Sequence, residues 1–206
     1  MDTALLEPMG AEDLRDEAIL ERRHLDGAIM EDVEARDMSL HECLISDCTA
    51  GTVRLPGLRT TGTRMIGSSA TAFEIGGCSV FSGRFEGVRI GVVRADGSDI
   101  SVFRIESSRI DVLSIRESRI RRVDIVDSRI GLLDLTGTRV REVVVEGGSI
   151  DELIPSRGRI DGFDLSHTRI GRVLDPVGLG GATLTRQQAL ELGPDLAEHL
   201  GATLVD

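Results

Sequence analysis

The sequence predicts an all-β fold in which the chain winds into a β-helix with four short sides to each coil. Thirty positions spaced five residues apart, from Leu25 to Ile170, are apolar except for Thr60 and Pro155. The chain is 40% hydrophobic, so chance would make about twelve of these positions apolar. A period of five matches neither a strand, with a period of about 2, nor a helix, with a period of about 3.6. The pattern therefore requires a larger backbone path that repeats.

A second pattern lies two residues before each apolar position. From residue 98 onward this position alternates between small and large side chains, as in Ser98, Phe103, Ser108 and Leu113. Both positions are predicted to point inward, which leaves the Arg, Asp and Glu side chains outside. Because the backbone groups of one coil must pair with the next coil, four sides of five residues should close a coil of about twenty residues. Equivalent side chains would then stack in columns, such as Ile90, Ile110, Ile130, Ile150 and Ile170.

The unit resembles that of the pentapeptide-repeat proteins, whose pattern is roughly A-(D/N)-L-x-x with the Leu at the apolar position. The resemblance covers residues 25–174 and is specific, because thirty consecutive units keep register. It implies a right-handed quadrilateral parallel β-helix of about seven coils with short helical caps, about 36 Å long at a strand spacing of ~4.8 Å. The architecture is similar to that of the gyrase-binding MfpA/Qnr branch of the family. The chain departs from the family pattern where Arg precedes the apolar residue, since the family has Asp or Asn there.

This organisation divides the chain into an N-terminal cap over residues 1–24, the β-helix over 25–174 and a C-terminal helical cap or tail over 175–206. Residues 11–23 have the apolar spacing of a short amphipathic helix, which would cover the first strand edge. Residues 185–188, Thr-Arg-Gln-Gln, fit a capping box at the start of a helix in the tail.

Two features leave the path of the chain open. The stretch 56–71 is rich in Gly, Ser and Thr, and it predicts either a distorted coil or a protruding loop. Pro155 occupies an apolar position and is expected to disturb one side of the coil without ending it, because proline cannot donate a backbone hydrogen bond.

The acidic, Leu-rich tail allows two roles. It resembles the tail of a mycobacterial pentapeptide-repeat protein whose C-terminal helical segment dimerises head to head. The tail is therefore either a simple cap or the contact of a homodimer. The candidate cap or dimer contacts lie near one helical face: Ala189, Leu192, Leu196 and Leu200.

The net charge of −11 is concentrated at the ends of the chain. Residues 1–35 hold eleven acids and three Arg, whereas residues 36–174 hold nineteen acids and twenty Arg. The repeat body is therefore nearly neutral, and the overall charge does not describe its surface.

Columns of arginine are the surface feature with the most functional promise. Stacked Arg side chains ~5 Å apart repel one another unless acids interleave with them or an anion binds. The sequence allows both a ladder balanced by acids and a ridge that binds an anion or a partner. Four arginines are predicted on one side and three on the opposite side: Arg89, Arg109, Arg129 and Arg169, then Arg119, Arg139 and Arg159.

No motif in the sequence predicts catalysis, a metal site or a cofactor. The cysteines occupy inward positions without ligand spacing, which predicts core packing: Cys43, Cys48 and Cys78. The four histidines are scattered, without the spacing of metal ligands. Asp164, Ser166 and His167 resemble catalytic residues in type, but they are predicted to lie on a surface strand without a pocket.

These observations predict a non-enzymatic scaffold that mediates protein–protein interaction in the cytoplasm, with an unidentified partner. The resemblance implies an alternative, a DNA mimic that modulates DNA gyrase. The neutral repeat body argues against mimicry, because a mimic needs acids along the rod. No stretch approaches the run of about eighteen apolar residues of a transmembrane helix. Direct nucleic-acid binding is not expected either, since the chain has no Trp and no Tyr for base stacking.

Overall fold

The computed structural model describes residues 5–204, and most of them belong to one coiled sheet of parallel strands. Strand pairing begins between Glu7 and Arg23 and ends between Asp164 and Thr183. The solenoid therefore has about nine turns, whereas the sequence predicts about seven. Apart from this count, the predicted all-β solenoid of parallel strands with short helices is confirmed.

The described residues form nineteen strands, two α-helices and two short 3-10 helices. The strands are β1 (Glu7–Pro8), β2 (Ile19–Glu21), β3 (Arg23–Asp26), β4 (Ile29–Glu34), β5 (Ser39–His41), β6 (Leu44–Ser46), β7 (Thr49–Arg54), β8 (Arg59–Thr61), β9 (Thr63–Ile66), β10 (Ser69–Glu74), β11 (Ser79–Glu86), β12 (Arg89–Arg94), β13 (Asp99–Glu106), β14 (Arg109–Ser114), β15 (Arg119–Val126), β16 (Arg129–Asp134), β17 (Arg139–Ile154), β18 (Ile160–Val173) and β19 (Ala182–Thr183). The α-helices are α1 (Arg186–Glu191) and α2 (Gly193–His199), and the 3-10 helices span Ala11–Asp13 and Pro176–Leu179.

Each regular coil contains twenty residues, because the strands pair with residues twenty positions away. Arg89 on β12 pairs with Arg109 on β14, and Arg109 pairs with Arg129 on β16. The neighbouring Ile90 and Ile110 pair in the same register. Chemically equivalent positions therefore stack directly on one another along the rod, as the sequence predicts.

The apolar fifth residues form a core that runs along the rod. One column of isoleucines is at most 1% exposed: Ile90, Ile110, Ile130 and Ile150. The large residues two positions before the apolar ones also point inward, as Leu133 and Leu153 show with exposures of 2% and 0%. Since burial of such side chains is the main driving force for folding, the two inward positions stabilise every coil.

The small inward residues form a buried ladder of hydroxyl groups at a corner of the coil. The amide of Ser98 donates to the Ser118 hydroxyl at 2.9 Å, and the amide of Ser118 donates to the Thr138 hydroxyl at 3.2 Å. The Ser118 hydroxyl in turn donates to the carbonyl of Arg116 at 2.8 Å. These amides lie between strands, so the hydroxyls satisfy buried donors that strand pairing does not reach. A small side chain that carries a hydroxyl therefore suits this position, because it accepts a hydrogen bond from the amide of the preceding coil.

The corners of the coil are not equivalent. At one corner five successive coils place a residue in the left-handed region, with φ between +52° and +73°: Gly57, Gly77, Gly97, Glu117 and Gly137. Another corner imposes close contact, since a Cβ on Gly131 would lie 2.4 Å from the carbonyl oxygen of Asp111. Glycine is thus favoured at the two corners for different reasons, backbone conformation at the first and space at the second.

The helix predicted over residues 11–23 is wrong. Only Ala11–Asp13 are helical, as a single 3-10 turn, and the strands β2 and β3 follow and pair with β5 and β6. Ala18 and Leu20 continue the inward register and pack against the core. The chain forms an additional coil here because strand pairing satisfies backbone groups that a short helix would leave at an open edge. Residues 1–4 of the predicted cap lie outside the described residues.

Strand pairing answers the questions that the sequence leaves open. Residues 56–71 form a coil, because β8 and β9 pair with β5 and β6 on one side and with β11 on the other. Pro155 directly follows β17, and pairing resumes with β18, so one side is disturbed while the coil continues. A departure occurs at Gly148, which is exposed although its position is predicted to be inward. Gly147 and Gly148 both have positive φ, and the following Ser149, only 5% exposed, turns inward instead.

The C-terminal helices cover the last strands of the rod. The predicted capping box is present at the start of α1, where the Gln188 amide donates to the Thr185 hydroxyl at 3.1 Å and the Thr185 amide donates to the Gln188 side chain at 2.7 Å. The buried Gln188 side chain also donates to the carbonyls of Leu165 and Thr168, at 2.7 Å each. It therefore occupies the place that the backbone of a further coil would take.

We expect Ser118→Ala to destabilise the protein by about 1–3 kcal/mol, because the buried Ser98 amide loses its acceptor. Urea unfolding measures the change in stability, and amide hydrogen exchange at Ser98 reports the lost bond directly. Ser79→Ala, at an exposed position, is the control and should change stability by less than about 0.5 kcal/mol. Unchanged exchange at Ser98 in Ser118→Ala would contradict the hydroxyl ladder.

Candidate interaction surface

The outward residues form charged columns, and the first predicted arginine column is only partly continuous. Arg89, Arg109 and Arg129 stack in successive coils on β12, β14 and β16. In the next coil Ser149 pairs with Arg129 on one side and with Arg169 on the other. Because Ser149 turns inward, Arg169 is separated from the other three arginines.

Acids neutralise part of this first column. Arg109 forms an ion pair of 3.1 Å with Asp111 on its own strand. Arg129 forms an ion pair of 2.9 Å with Asp151 in the following coil. Acids therefore lie against two of the arginines in this column, as in a ladder balanced by acids.

The second predicted column, half a coil away, belongs to a larger cluster. Arg119 on β15 pairs with Arg139 on β17, and Arg121 pairs with Arg141 on the same two strands. Arg159 follows in the next coil, where its carbonyl accepts the amide of Val140 at 2.9 Å. We call this cluster the five-arginine face, and its members are Arg119, Arg121, Arg139, Arg141 and Arg159.

The sequence prediction missed two members of the five-arginine face, because it considered only the residue before each apolar position. Arg121 and Arg141 stand one residue after it. The available signal is the Arg-x-Arg spacing at 119–121 and again at 139–141, since residues two apart on a strand point to the same side.

Few acids lie against the five-arginine face. Arg141 pairs with Glu142 at 3.2 Å, and Arg119 lies 4.0 Å from Asp99, at the limit of an ion pair. Within residues 5–204, no ion pair within 4.0 Å involves Arg139 or Arg159. The side chains of Arg119 and Arg141 are 68% and 60% exposed. The face thus presents guanidinium groups that are free to bind carboxylates in bidentate geometry.

A third column, which the sequence pattern does not single out, is fully interleaved with acids. Arg84 lies 3.2 Å from Glu86 and also pairs with Glu106 in the next coil. Arg104 pairs with Glu106 at 3.1 Å and with Asp124 at 3.5 Å. Each charge therefore has opposite charges on its own strand or in the adjacent coil, and this column has little charge left for a partner.

The interleaving changes the acidity of the carboxyl groups in this column. The hydrogen bond from Arg104, helped by the positive charges of Arg104 and Arg84, lowers the pKa of Glu106. The same hydrogen bond raises the pKa of the Arg104 guanidinium. Both shifts favour the charged forms, as expected for a stable ion pair.

The cysteines lie in the core, where the sequence places them. All three are free thiols and at most 3% exposed: Cys43, Cys48 and Cys78. Burial raises the pKa of each thiol, so the reactive thiolate is disfavoured. The Cys78 thiol contacts the Ser98 hydroxyl at 3.1 Å and so extends the hydroxyl ladder by one coil.

Asp164, Ser166 and His167 lie together on β18 but do not have the geometry of a nucleophile and its base. The Ser166 hydroxyl donates directly to Asp164 at 2.7 Å, and the Ser166 amide donates to the same oxygen at 2.9 Å. These hydrogen bonds lower the pKa of Asp164. The carboxylate thus accepts hydrogen bonds from both the amide and the hydroxyl of Ser166, so the hydroxyl donates to Asp164 directly and not to a base.

Within residues 5–204, no group of three or more His, Cys, Asp or Glu side chains is arranged to hold a metal ion. No helix in the same range has both the length and the apolar character needed to cross a membrane.

The four candidate contacts of the tail do not share one environment. Leu192 is 3% exposed and belongs to the core, so it holds the cap against the rod. Ala189 is exposed, and Leu196 and Leu200 are 41% and 80% exposed. They lie at an end of the rod with other exposed apolar side chains: Leu174, Val177, Leu190 and Leu204.

No protein-family model and no curated protein matches the sequence. Among solved structures, a trypsin-treated form of QnrB1, described as a plasmid-mediated fluoroquinolone resistance protein, is similar to this chain at 14% identity. The similarity covers 89% of this chain and 99% of QnrB1, with a TM-score of 0.35. A similarity at that level carries no argument about function. The architecture rests on the strand pairing of the chain itself, and it is the one that the resemblance to pentapeptide-repeat proteins implies.

We expect the Glu106 carboxyl to titrate below the ordinary glutamate pKa of about 4.3, and Arg104→Met to raise its pKa toward that value. A carboxyl whose pKa is lowered by folding stabilises the fold above its unfolded pKa. This stabilisation is lost as the pH falls through the lowered pKa. Carboxyl titration by NMR measures both values. Arg109→Met, in another column, should leave the Glu106 titration unchanged, and an unchanged titration in Arg104→Met would contradict the ladder.

Proposed function

We propose that the chain is a non-enzymatic scaffold whose outer faces bind another protein. The observation that carries this proposal is the five-arginine face, a regular array of exposed cations with few acids against it. The inward positions are filled by apolar and small side chains, so the fold offers its chemistry on flat surfaces and not in a cleft with perturbed groups. Repeat rods commonly use extended surfaces of this kind for binding. We also propose that the protein acts in the cytoplasm.

DNA gyrase is the alternative partner implied by the resemblance to the MfpA/Qnr branch. That alternative requires a rod whose acids imitate duplex DNA. The arginine columns and the interleaved Arg–Glu column do not favour such a surface, because acids there are either absent or neutralised. The scaffold with a different protein partner is therefore the function we favour.

We expect the intact protein, immobilised and exposed to an extract of the cell that makes it, to enrich at least one protein over blank resin. A bait with Arg119, Arg139 and Arg159 replaced by Gln should lose that protein, because exposed guanidinium groups are its anchors. The matched control bait carries Gln at Arg89, Arg109 and Arg129 and should retain it.

Quantitative mass spectrometry of the three eluates identifies the partner. Gyrase subunits among the proteins retained by the intact bait would favour the alternative. Recovery of the same proteins on all three baits would leave a scaffold that works through other faces. No enriched protein on the intact bait would overturn the proposed function.

We also propose that the exposed apolar residues of the tail form a homodimer contact, while Leu192 acts within each cap. The double variant Leu196→Glu and Leu200→Glu should then convert a dimer into a 22.2 kDa monomer in sedimentation velocity. Ile29→Glu, at a position 88% exposed near the other end of the rod, is the control and should remain dimeric. A native protein that sediments as the monomer would rule out the dimer and leave the cap as the role of the tail.

A further inference from the structure

The chain has one aromatic side chain that the core does not use. Of the five phenylalanines, three are buried and Phe103 packs partly buried against the core, with its ring 5.0 Å from that of Phe85. Phe81 is 66% exposed on β11. Exposure of so large an apolar ring lowers stability unless another surface covers it, and aromatic residues are enriched among the anchors of protein interfaces.

Phe81 lies on the same side of the rod as the five-arginine face. Its neighbours Val80 and Ser82 pair with Ile100 and Val102, and Arg121 in the next coil donates to the Ser101 hydroxyl at 2.8 Å. Phe81 therefore stands about two coils, or roughly 10 Å, before Arg121 along the rod. The intervening residues on this side have short side chains, so a bound segment can contact both.

The arginines themselves form a grid. Within a strand, Arg119 and Arg121 are two residues apart, about 7 Å, and between coils equivalent arginines are about 5 Å apart. A shallow groove crosses the grid between these side chains, and its polar lining is the five-arginine face with the carboxylates of Asp99 and Asp161. A segment extended along the rod axis presents same-face side chains about 7 Å apart, against about 5 Å between arginines of successive coils. The long, flexible Glu and Arg side chains can bridge this difference, and the two arginines of each strand give a carboxylate more than one guanidinium to bind.

We propose that this side of the rod binds an acidic segment of a partner protein, extended along the rod axis, with an apolar residue against Phe81 and carboxylates on the five-arginine face. The proposal rests on the proposed scaffold function and names its site and the chemistry of its partner. Aromatic and arginine residues together are the composition of interface hot spots.

The same surface is less suited to nucleic acid. Asp99 and Asp161 bound the arginine groove along the rod, so it has room for a short run of anionic groups and not for the continuous row of phosphates of a nucleic acid. Within residues 5–204, Phe81 is the only large aromatic among the exposed hydrophobic side chains, whereas single-strand binders stack successive bases on several aromatics. An acidic polypeptide needs only one apolar contact and a short run of carboxylates.

The probe is a fluorescein-labelled peptide of about twelve residues in which a Leu is followed, about three residues later, by a run of Glu, because an extended chain advances about 3.3 Å per residue. A matched peptide carries Gln in place of each Glu. Fluorescence anisotropy with the intact protein at about 50 mM and about 200 mM salt measures the affinity and its electrostatic part. A duplex DNA of about 20 base pairs, measured in the same way, tests the nucleic-acid alternative.

We expect the Glu peptide to bind more weakly at the higher salt concentration and the Gln peptide to bind at least about tenfold more weakly than the Glu peptide. The double variant Arg121→Gln and Arg141→Gln should weaken binding of the Glu peptide by about tenfold, and Phe81→Ser by about fivefold or more. The controls are the double variant Arg89→Gln and Arg109→Gln, half a coil away, and Ile29→Ser. Both should stay within about twofold of the native affinity.

Equal weakening by the two arginine double variants would overturn the proposal, because binding would then follow overall charge. Tighter binding of the duplex than of the Glu peptide would replace it with a nucleic-acid site. The extract experiment separates this failure from that of the scaffold function. A partner retained by the Arg121→Gln and Arg141→Gln bait leaves the scaffold intact and removes only this site, whereas no partner on any bait removes both.

Discussion

The structure depends on one constraint, that each coil must pair its backbone with the coil twenty residues before and after it. Parallel pairing of Arg89 with Arg109 and of Arg109 with Arg129 fixes this offset. Because the offset is a multiple of five, a five-residue pattern in the sequence becomes a set of straight columns in space. Inward columns then form the core, and outward columns determine the surface. A change of register, as at Gly147 and Gly148, therefore changes both at once.

The same constraint leaves polar groups that strand pairing cannot satisfy, and specific side chains satisfy them. The hydroxyls of Ser118 and its equivalents accept hydrogen bonds from backbone amides at a buried corner. The Gln188 side chain donates hydrogen bonds to two backbone carbonyls of β18. Stacking also places like charges in adjacent coils. Where Glu86 and Glu106 alternate with arginines, the charges cancel. Where acids do not alternate with arginines, as at Arg139 and Arg159, the column keeps its positive charge.

The sequence predicts the core well because the inward positions follow a local spacing that no other fold explains. It fails over residues 11–23, where a helical spacing coexists with the coil register of Ala18 and Leu20, and pairing with the next coil decides between them. Ion pairs such as Arg84–Glu106 join residues twenty-two apart, so they become visible only after the coil length is known. The left-handed corner at Glu117 is hidden in a similar way, because glutamate does not indicate a positive φ, and the glycines twenty residues before and after it indicate the corner only once the coil length is known.

Function in such a rod has to be sought on the outward columns, since the inward ones are committed to the core. The Glu106 carboxyl, whose pKa is lowered, belongs to an exposed ladder of ion pairs in which its charge is balanced. Ion pairs that cancel within the rod contribute to its stability and offer little to a partner. On the five-arginine face, Arg139 and Arg159 form no ion pair within 4.0 Å among residues 5–204, and the ring of Phe81 is exposed on the same side. Because these groups are exposed on one side of the rod, that side is the one on which we propose that another protein binds.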